Sequence, residues 1–124
     1  MRVLKTPWFV RFARKEGISD AVLRDAVARA ERGLVDADLG GGVIKQRVAR
    51  PGAGKSGGYR TLILYRRGAR AVFAFGFAKS VTDNIDERDE ARFKALATLT
   101  LGYSDEDIRM LVEAGKLVEV RGDG

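Results

Sequence analysis

The sequence predicts an α+β fold, in which a small antiparallel sheet carries two N-terminal helices on one face and is followed by C-terminal helices. Three observations support this prediction. Two amphipathic segments with helix-capping residues open the chain, three segments rich in β-branched and aromatic residues form its middle, and two more capped helical segments follow. Strands grouped between helices are typical of α+β domains. A length of 124 residues fits one domain, residues 1–124.

The first two helices each begin at a capping residue. Thr6 supplies a capping hydroxyl and Pro7 suits the first helical position, and this helix is predicted to end at Gly17. Ser19 supplies the second cap, for a helix over residues 20–32. The aromatic residues of the first helix lie close to one face, so we expect them to belong to the core. They are Trp8, Phe9 and Phe12.

Three strands are predicted in the middle of the chain, and the second and third form a hairpin. They cover about Val43 to Arg50, Tyr59 to Arg66, and Arg70 to Ala78. The period of two places Lys45 and Arg47 together on one face of the first strand. The same period predicts that the phenylalanines of the third strand share one face. They are Phe73, Phe75 and Phe77.

The segments on either side of these strands are assigned from glycines and caps. Residues 34–42 end in three glycines and are predicted to be a flexible connection. Asp83 or Asn84 is expected to cap a helix that ends near Leu101. Ser104 and Asp107 resemble a capping box that opens a last helix, and residues 116–120 could add a short strand.

The positive charge of the chain is concentrated in its middle third. The net charge is +6, and no acidic residue lies between Asp38 and Asp83. Residues 1–38 carry a net charge of +2, residues 39–82 of +9, and residues 83–124 of −5. A positive field confined to a predicted sheet attracts polyanions, and it suits a phosphate backbone.

The composition excludes several kinds of chemistry. The chain has no histidine and no cysteine, which rules out Ser-His and Cys-His nucleophile pairs, imidazole acid–base catalysis and disulfides. Proton transfer would have to use lysine, arginine, tyrosine or carboxylates, and no metal site or cofactor is predicted. The N-terminus has no signal peptide pattern and the chain has no long apolar run, so a cytoplasmic location is expected.

Four cations are predicted to meet on the sheet. Lys45, Arg47, Arg60 and Lys79 lie in or at the end of three neighbouring strand segments. Any one of them alone would suit a solvated strand face. Clustered cations without nearby carboxylates repel one another, so the group together favours an anionic partner.

Three segments of the sequence resemble the RelE/HigB-type toxins of bacterial toxin–antitoxin pairs, and the HigB branch most closely. They are Ile44-Lys45-Gln46-Arg47, Ser56-Gly57-Gly58-Tyr59-Arg60 and Gly76-Phe77-Ala78-Lys79-Ser80. The resemblance implies a RelE-like α+β endoribonuclease that cleaves messenger RNA in the ribosomal A site and inhibits translation. It also implies a cognate antitoxin partner that is expected to bind DNA.

The resemblance further implies roles for individual residues. Arg60 would hold the scissile phosphate, Lys45 or Arg47 would act at the 2′-hydroxyl, and Lys79 would act at the leaving group. Many RelE relatives have a tyrosine a few residues after the position of Lys79, and this chain has none there. Further cations and one amide are expected to bind RNA. They are Arg50, Lys55, Arg66, Arg67, Arg70 and Asn84.

Two other functions remain open from the sequence. A ParE-like toxin would bind DNA gyrase on the same scaffold without cleaving RNA, although such relatives tend to lack the basic cluster. A non-catalytic RNA-binding regulator would bind RNA with an affinity that falls with salt, again without cleavage.

Overall fold

The computed structural model describes residues 1–49, 58–78 and 85–122. Within these ranges the chain forms a mixed α+β structure with four helices and a six-stranded sheet. The helices are α1 (Pro7–Glu16), α2 (Asp20–Glu31), α3 (Glu87–Leu101) and α4 (Asp105–Glu113). The strands are β1 (Arg2–Lys5), β2 (Ala37–Gly40), β3 (Val43–Val48), β4 (Tyr59–Arg66), β5 (Arg70–Ala78) and β6 (Val118–Glu119). No helix in the described ranges is long and apolar enough to span a membrane.

The sheet has the order β2-β3-β4-β5-β1-β6 and is not purely antiparallel. Neighbours from β2 to β5 are antiparallel, and so are β1 and β6. The first strand, β1, instead runs parallel to β5, with Arg2 opposite Arg70 and Lys5 opposite Phe73. The prediction of an antiparallel sheet is therefore wrong at this pair. Tight turns force hairpin neighbours to be antiparallel, whereas a long connection leaves the direction free.

The glycine-rich connection after α2 contains a strand, which corrects its assignment as flexible. Residues Ala37–Gly40 form β2 and pair with β3, with Asp38 opposite Ile44. Gly41 and Gly42 have φ values of 62° and 84°. These left-handed conformations make a tight hairpin turn, and glycine adopts them at little cost.

Each face of the sheet is covered by a pair of helices. The N-terminal helices α1 and α2 cover one face, as predicted, and their core includes Phe9, Leu23, Ile63 and Phe73. The C-terminal helices α3 and α4 cover the other face, with a core that includes Leu62, Leu64, Ala97 and Ile108. The sheet therefore lies between two helical layers.

A bulge in β5 overturns the predicted alternation of its phenylalanines. Phe73 lies opposite Ile63, whereas Phe75 lies opposite Leu62, so one extra residue is inserted in β5 at Ala74. Phe73 packs in the core of α1 and α2, and Phe75 packs on the side of α3. Phe75 therefore does not share a face with Phe73.

Most helix ends agree with the sequence patterns. The side chains of Thr6 and Ser19 cap α1 and α2, and Ser104 forms the capping box with Asp107 that opens α4. The cap of α3 is Asp86 and not Asp83 or Asn84, which lie outside the described residues. Asp86 is one of several acidic residues in that segment, so the pattern did not single it out.

Candidate active site

Three of the four predicted cations share one face of the sheet. Arg47 on β3 lies directly opposite Arg60 on β4, and Lys45 lies opposite Leu62 on the same side. Side chains directly opposite each other in an antiparallel pair have Cβ atoms about 5 Å apart. Because Leu62 packs toward α3 and α4, the three cations point to that face of the sheet. We call Lys45, Arg47 and Arg60 the cationic row. The fourth cation, Lys79, lies outside the described residues.

A buried polar residue between two members of the cationic row fixes their direction. Gln46 is fully buried on the opposite face of β3. Its Nε2 donates to the carbonyl oxygens of Ala26 and Leu34, each at 3.0 Å, and its Oε1 accepts from the backbone N–H of Asp36 at 3.0 Å. These bonds tie β3 to α2 and to the connection after it. With Gln46 held inward, the residues on either side of it must face the other way.

Thr61 repeats this arrangement on the neighbouring strand. It is fully buried opposite Gln46, and its hydroxyl donates to the Gln46 carbonyl oxygen at 2.8 Å. Sequence analysis identified neither residue as part of the site. The signal available was a polar side chain at a position where alternation places the core.

Gly58 allows the start of β4 to approach β3 closely. A Cβ atom at this position would lie 2.8 Å from the carbonyl oxygen of Val48, closer than real Cβ contacts. It would also lie 3.6 Å from Cγ of Arg47. The glycine before Tyr59-Arg60 is thus needed for the backbone contact that places Arg60 opposite Arg47.

The two arginines of the cationic row are not neutralised by the part of the chain that the structure describes. Arg47 is exposed and Arg60 is partly buried. Across the three described ranges, neither guanidinium forms a hydrogen bond or an ion pair. The nearby carboxylate of Asp36 accepts instead from the backbone N–H of Arg47, at 2.6 Å. Like charges directly opposite each other on two strands are destabilising unless an anion binds between them.

Aromatic rings border the cationic row. Phe77 lies opposite Arg60 on β5, and its ring centroid is 6.2 Å from that of Phe75. Phe75 in turn stacks on Trp8 of α1 at 4.5 Å and contacts Phe93 of α3 at 5.5 Å. Trp8 remains 38% exposed, so the prediction that it belongs to the core is only partly right.

Three other predicted RNA-binding residues lie at the far end of the hairpin. Arg66 and Arg70 form the last pair of β4 and β5, six residues along the strand from Arg60 and therefore roughly 20 Å away. Arg66 donates to the carbonyl oxygen of Leu101, and Arg67 to that of Glu31. The structure thus does not bring these arginines to the cationic row.

Arg70 has a structural role. It is buried, and its guanidinium donates to the carbonyl oxygens of Thr100 and Tyr103, each at 2.9 Å, and to Asp105 at 3.2 Å. It therefore links the end of α3 to the start of α4 and is left out of the site. The remaining predicted residues, Arg50, Lys55 and Asn84, lie outside the described residues.

The ionisable groups with shifted pKa values lie away from the cationic row. The clearest pair joins α2 to the β4–β5 turn, where the hydroxyl of Tyr65 donates to Glu31. Burial, reinforced by the Glu31 carboxylate, raises the pKa of Tyr65 to about 12. Among residues 1–49, 58–78 and 85–122, no group of three or more acidic, histidine or cysteine side chains could hold a metal ion.

Comparison with known families identifies the family to which the chain belongs. The family model described as RelE toxin of the RelE / RelB toxin-antitoxin system matches residues 1–120. The chain belongs to the RelE toxin family. No curated protein matches the chain. Membership makes this RelE-family protein a toxin of a toxin–antitoxin system, which implies a cognate antitoxin partner. The closer resemblance to the HigB branch stays a prediction.

Proposed function

We propose that this RelE-family toxin is an endoribonuclease that cleaves messenger RNA in the ribosomal A site without a metal ion, and that a cognate antitoxin neutralises it. The observation that supports the proposal is the pair formed by Arg47 and Arg60, which face each other across two strands without neutralising partners in the described ranges. An anionic ligand between them would relieve their repulsion. A phosphodiester of RNA is such a ligand.

The chemistry requires three tasks, and the cationic row suits two of them. The 2′-hydroxyl must be aligned with the scissile phosphorus and lose its proton, and the negative charge of the phosphorane must be stabilised. The planar guanidinium of Arg60 can donate to two phosphate oxygens at once. Lys45 and Arg47 follow along β3 at a spacing of about 7 Å and would orient the 2′-hydroxyl, whose proton would pass to solvent water as the oxygen attacks the phosphorus.

The third task is protonation of the 5′-oxygen leaving group. We assign it to Lys79, which follows the last residue of β5 along the chain. Phe77, two residues before Lys79 in the sequence, lies opposite Arg60. The assignment rests on sequence order and on the family resemblance.

The cleavage reaction itself tests the proposal. Purified toxin is added to ribosomes programmed with a defined message, and primer extension maps the cuts. We expect cuts within the A-site codon. Arg60→Gln should lower the rate by about 10²- to 10³-fold, because it removes a charged donor from the phosphorane.

A charge-matched control separates this role from a general loss of positive charge. Arg32 is exposed at the end of α2, on the far side of the sheet, and Arg32→Gln removes the same unit charge. We expect this variant to cleave at the wild-type rate. Full activity of Arg60→Gln would remove Arg60 from the mechanism. An uncut message combined with inhibited DNA gyrase supercoiling would instead support the ParE-like function.

A further inference from the structure

Two side chains take the place of a neighbouring strand at the outer edge of β3. Strand β2 pairs with β3 only as far as Lys45, which lies opposite Ala37, and Asp36 precedes β2 along the chain. In the described ranges, this edge of β3 therefore has no strand partner at Arg47. Backbone polar groups at an unpaired strand edge are ordinarily left to water.

Both backbone polar groups of Arg47 bond to side chains instead. Its N–H donates to Oδ2 of Asp36 at 2.6 Å, and its carbonyl oxygen accepts from Nη2 of Arg29 on α2 at 2.5 Å. Asp36 is itself held, since its backbone N–H donates to Oε1 of Gln46 at 3.0 Å. Arg29 forms an ion pair with Asp25 on the same helix, at 3.5 Å. Hydrogen bonds that involve an ionised group are roughly twice as strong as neutral ones, so the backbone at Arg47 is held from two sides.

The direction of these bonds shows which kind of pair Arg47 forms with Arg60. Successive residues of an antiparallel strand direct their N–H and C=O groups to opposite edges. The hydroxyl of Thr61 on β4 reaches the carbonyl oxygen of Gln46 at 2.8 Å, so Gln46 faces β4 and Arg47 faces the outer edge. Arg47 and Arg60 are therefore a non-hydrogen-bonded pair. In such pairs the Cα atoms are about 4.5 Å apart and the side chains lie closer than in the alternate pairs.

This close pairing makes the end of β3 the place where repulsion can move the backbone. Arg47 is the last residue but one of the strand, which ends at Val48. Two guanidinium groups at this separation repel each other, and a strand end without a neighbour is free to shift. The hydrogen bonds from Asp36 and Arg29 fix it to α2 and to the segment before β2.

We infer that Asp36 and Arg29 are positioning residues that act through Arg47, holding its backbone so that its guanidinium group meets the same ribonucleotide linkage as Arg60. The inference rests on the proposed function, since it takes the ligand of the cationic row to be RNA. It adds two residues from outside the row, and neither has to contact the substrate. A displacement of about 1 Å in a catalytic group can cost on the order of 10²-fold in rate.

Substitutions of Asp36 test the role of its hydrogen bond. Asp36→Ala removes the acceptor for the Arg47 N–H, whereas Asp36→Asn keeps an amide oxygen that can accept it. On programmed ribosomes, we expect Asp36→Ala to lower kcat by about 10- to 100-fold while KM changes less, and Asp36→Asn to restore most of the loss. An Asp36→Asn variant as slow as Asp36→Ala would overturn the inference, because the charge and not the hydrogen bond would then matter.

Asp38 provides a matched control. It is also exposed, and its carboxylate also accepts a backbone N–H, that of Gly40, at 2.8 Å. This bond lies in the β2–β3 hairpin, away from Arg47. We expect Asp38→Ala to keep the wild-type kcat. A loss of equal size in Asp36→Ala and Asp38→Ala would contradict a specific role for Asp36.

A double-mutant cycle separates positioning from a general structural role. If Asp36 acts through Arg47, Asp36→Ala should cause no further loss of kcat in a protein that already carries Arg47→Ala. Arg29→Ala should behave in the same way, with Arg32→Ala as the control on the same helix. Single-turnover cleavage with excess toxin measures the slow variants. Losses that simply multiply in the double variants would show that Asp36 and Arg29 act independently of Arg47, and would overturn the inference.

Amide hydrogen exchange in the free toxin tests the hydrogen bond without RNA. The N–H of Arg47 lies at a strand edge, so its exchange should be slow in the wild type and faster in Asp36→Ala. Fast exchange of this amide in the wild type would overturn the inference even if the toxin cuts its message. A protected amide in a toxin that cuts no message would instead overturn the proposed function, and with it the role in cleavage, while the hydrogen bond itself would stand.

Discussion

Arg47 and Arg60 occupy directly opposed positions on β3 and β4, so two like charges face each other across the sheet. The structure retains this arrangement although like-charged cross-strand pairs are destabilising. Binding of a phosphate would account for this repulsion in the free protein, because both charges attract the anion once it is present. Stability and activity should therefore respond in opposite directions when one charge is removed.

We predict that Arg60→Gln stabilises the free protein while it impairs cleavage. The gain should be roughly 0.2–1 kcal/mol in the free energy of unfolding at low ionic strength, and it should shrink as salt screens the repulsion. Urea unfolding in low and high salt measures it. Arg32→Gln should change stability less and with a weaker salt dependence. A destabilised Arg60→Gln variant would show that the two guanidinium groups do not repel each other in the free protein.

Gly58→Ala should reduce activity through the backbone. The added methyl group would meet the Val48 carbonyl oxygen at 2.8 Å, so the start of β4 must move away from β3 and carry Arg60 with it. We expect a loss of about 1–3 kcal/mol in stability and a fall in the cleavage rate. Gly122→Ala is the control, because its Cβ atom would make only an ordinary contact at 3.5 Å. A fully active Gly58→Ala variant would mean that the strand spacing does not position Arg60.

The contact between Glu31 and Tyr65 predicts how stability depends on pH. The hydrogen bond from Tyr65, with smaller contributions from the N–H of Gly68 and from Arg67, lowers the pKa of Glu31. The stability that the ionised Glu31 carboxylate contributes is present at pH values above its pKa in the unfolded chain, near 4.3, and is lost as the pH falls through its pKa in the folded protein. Tyr65, with its pKa raised to about 12, loses its contribution as the pH rises from about 10 to 12.

Tyr65→Phe isolates this contact. At neutral pH the variant should lose about 0.5–1.5 kcal/mol, the usual value of one hydrogen bond. The difference in unfolding free energy between wild type and variant should then shrink below pH 4 and above pH 10. Chemical denaturation across this pH range measures it. A difference that stays constant with pH would show that Glu31 and Tyr65 are not coupled.

The alternation of β3 could be predicted because it contains no irregularity. Lys45 and Arg47 lie on one face and Gln46 on the other, as the period of two requires. The hydrogen bonds of Gln46 could not be predicted, since its partners Ala26, Leu34 and Asp36 are brought to it by α2 and by the connection that follows. The sequence therefore predicted the face of β3 on which Lys45 and Arg47 lie. It did not predict the hydrogen bonds of Gln46 that hold β3 in this orientation.

The contact between Phe75 and Trp8 could not be predicted because of one inserted residue in β5. Ala74 carries no sequence signal of a bulge, yet it moves Phe75 to the face opposite Phe73. The regular alternation assumed from the sequence placed Phe75 on the same face as Phe73, so its stack with Trp8 was not predicted. The strand boundaries were easier to predict, because turns and glycines mark them. Strands β4 and β5 begin and end at the predicted residues.

The position of β1 has a consequence for synthesis of the chain. This strand precedes the other five described strands along the chain, yet its two neighbours in the sheet are residues 70–73 of β5 and residues 118–119 of β6. The hairpins of β3, β4 and β5 close over short distances along the chain, whereas β1 must wait for partners far along it. The emerging toxin can thus assemble its cationic strands early, but the sheet is completed only when the last of its strands has been translated.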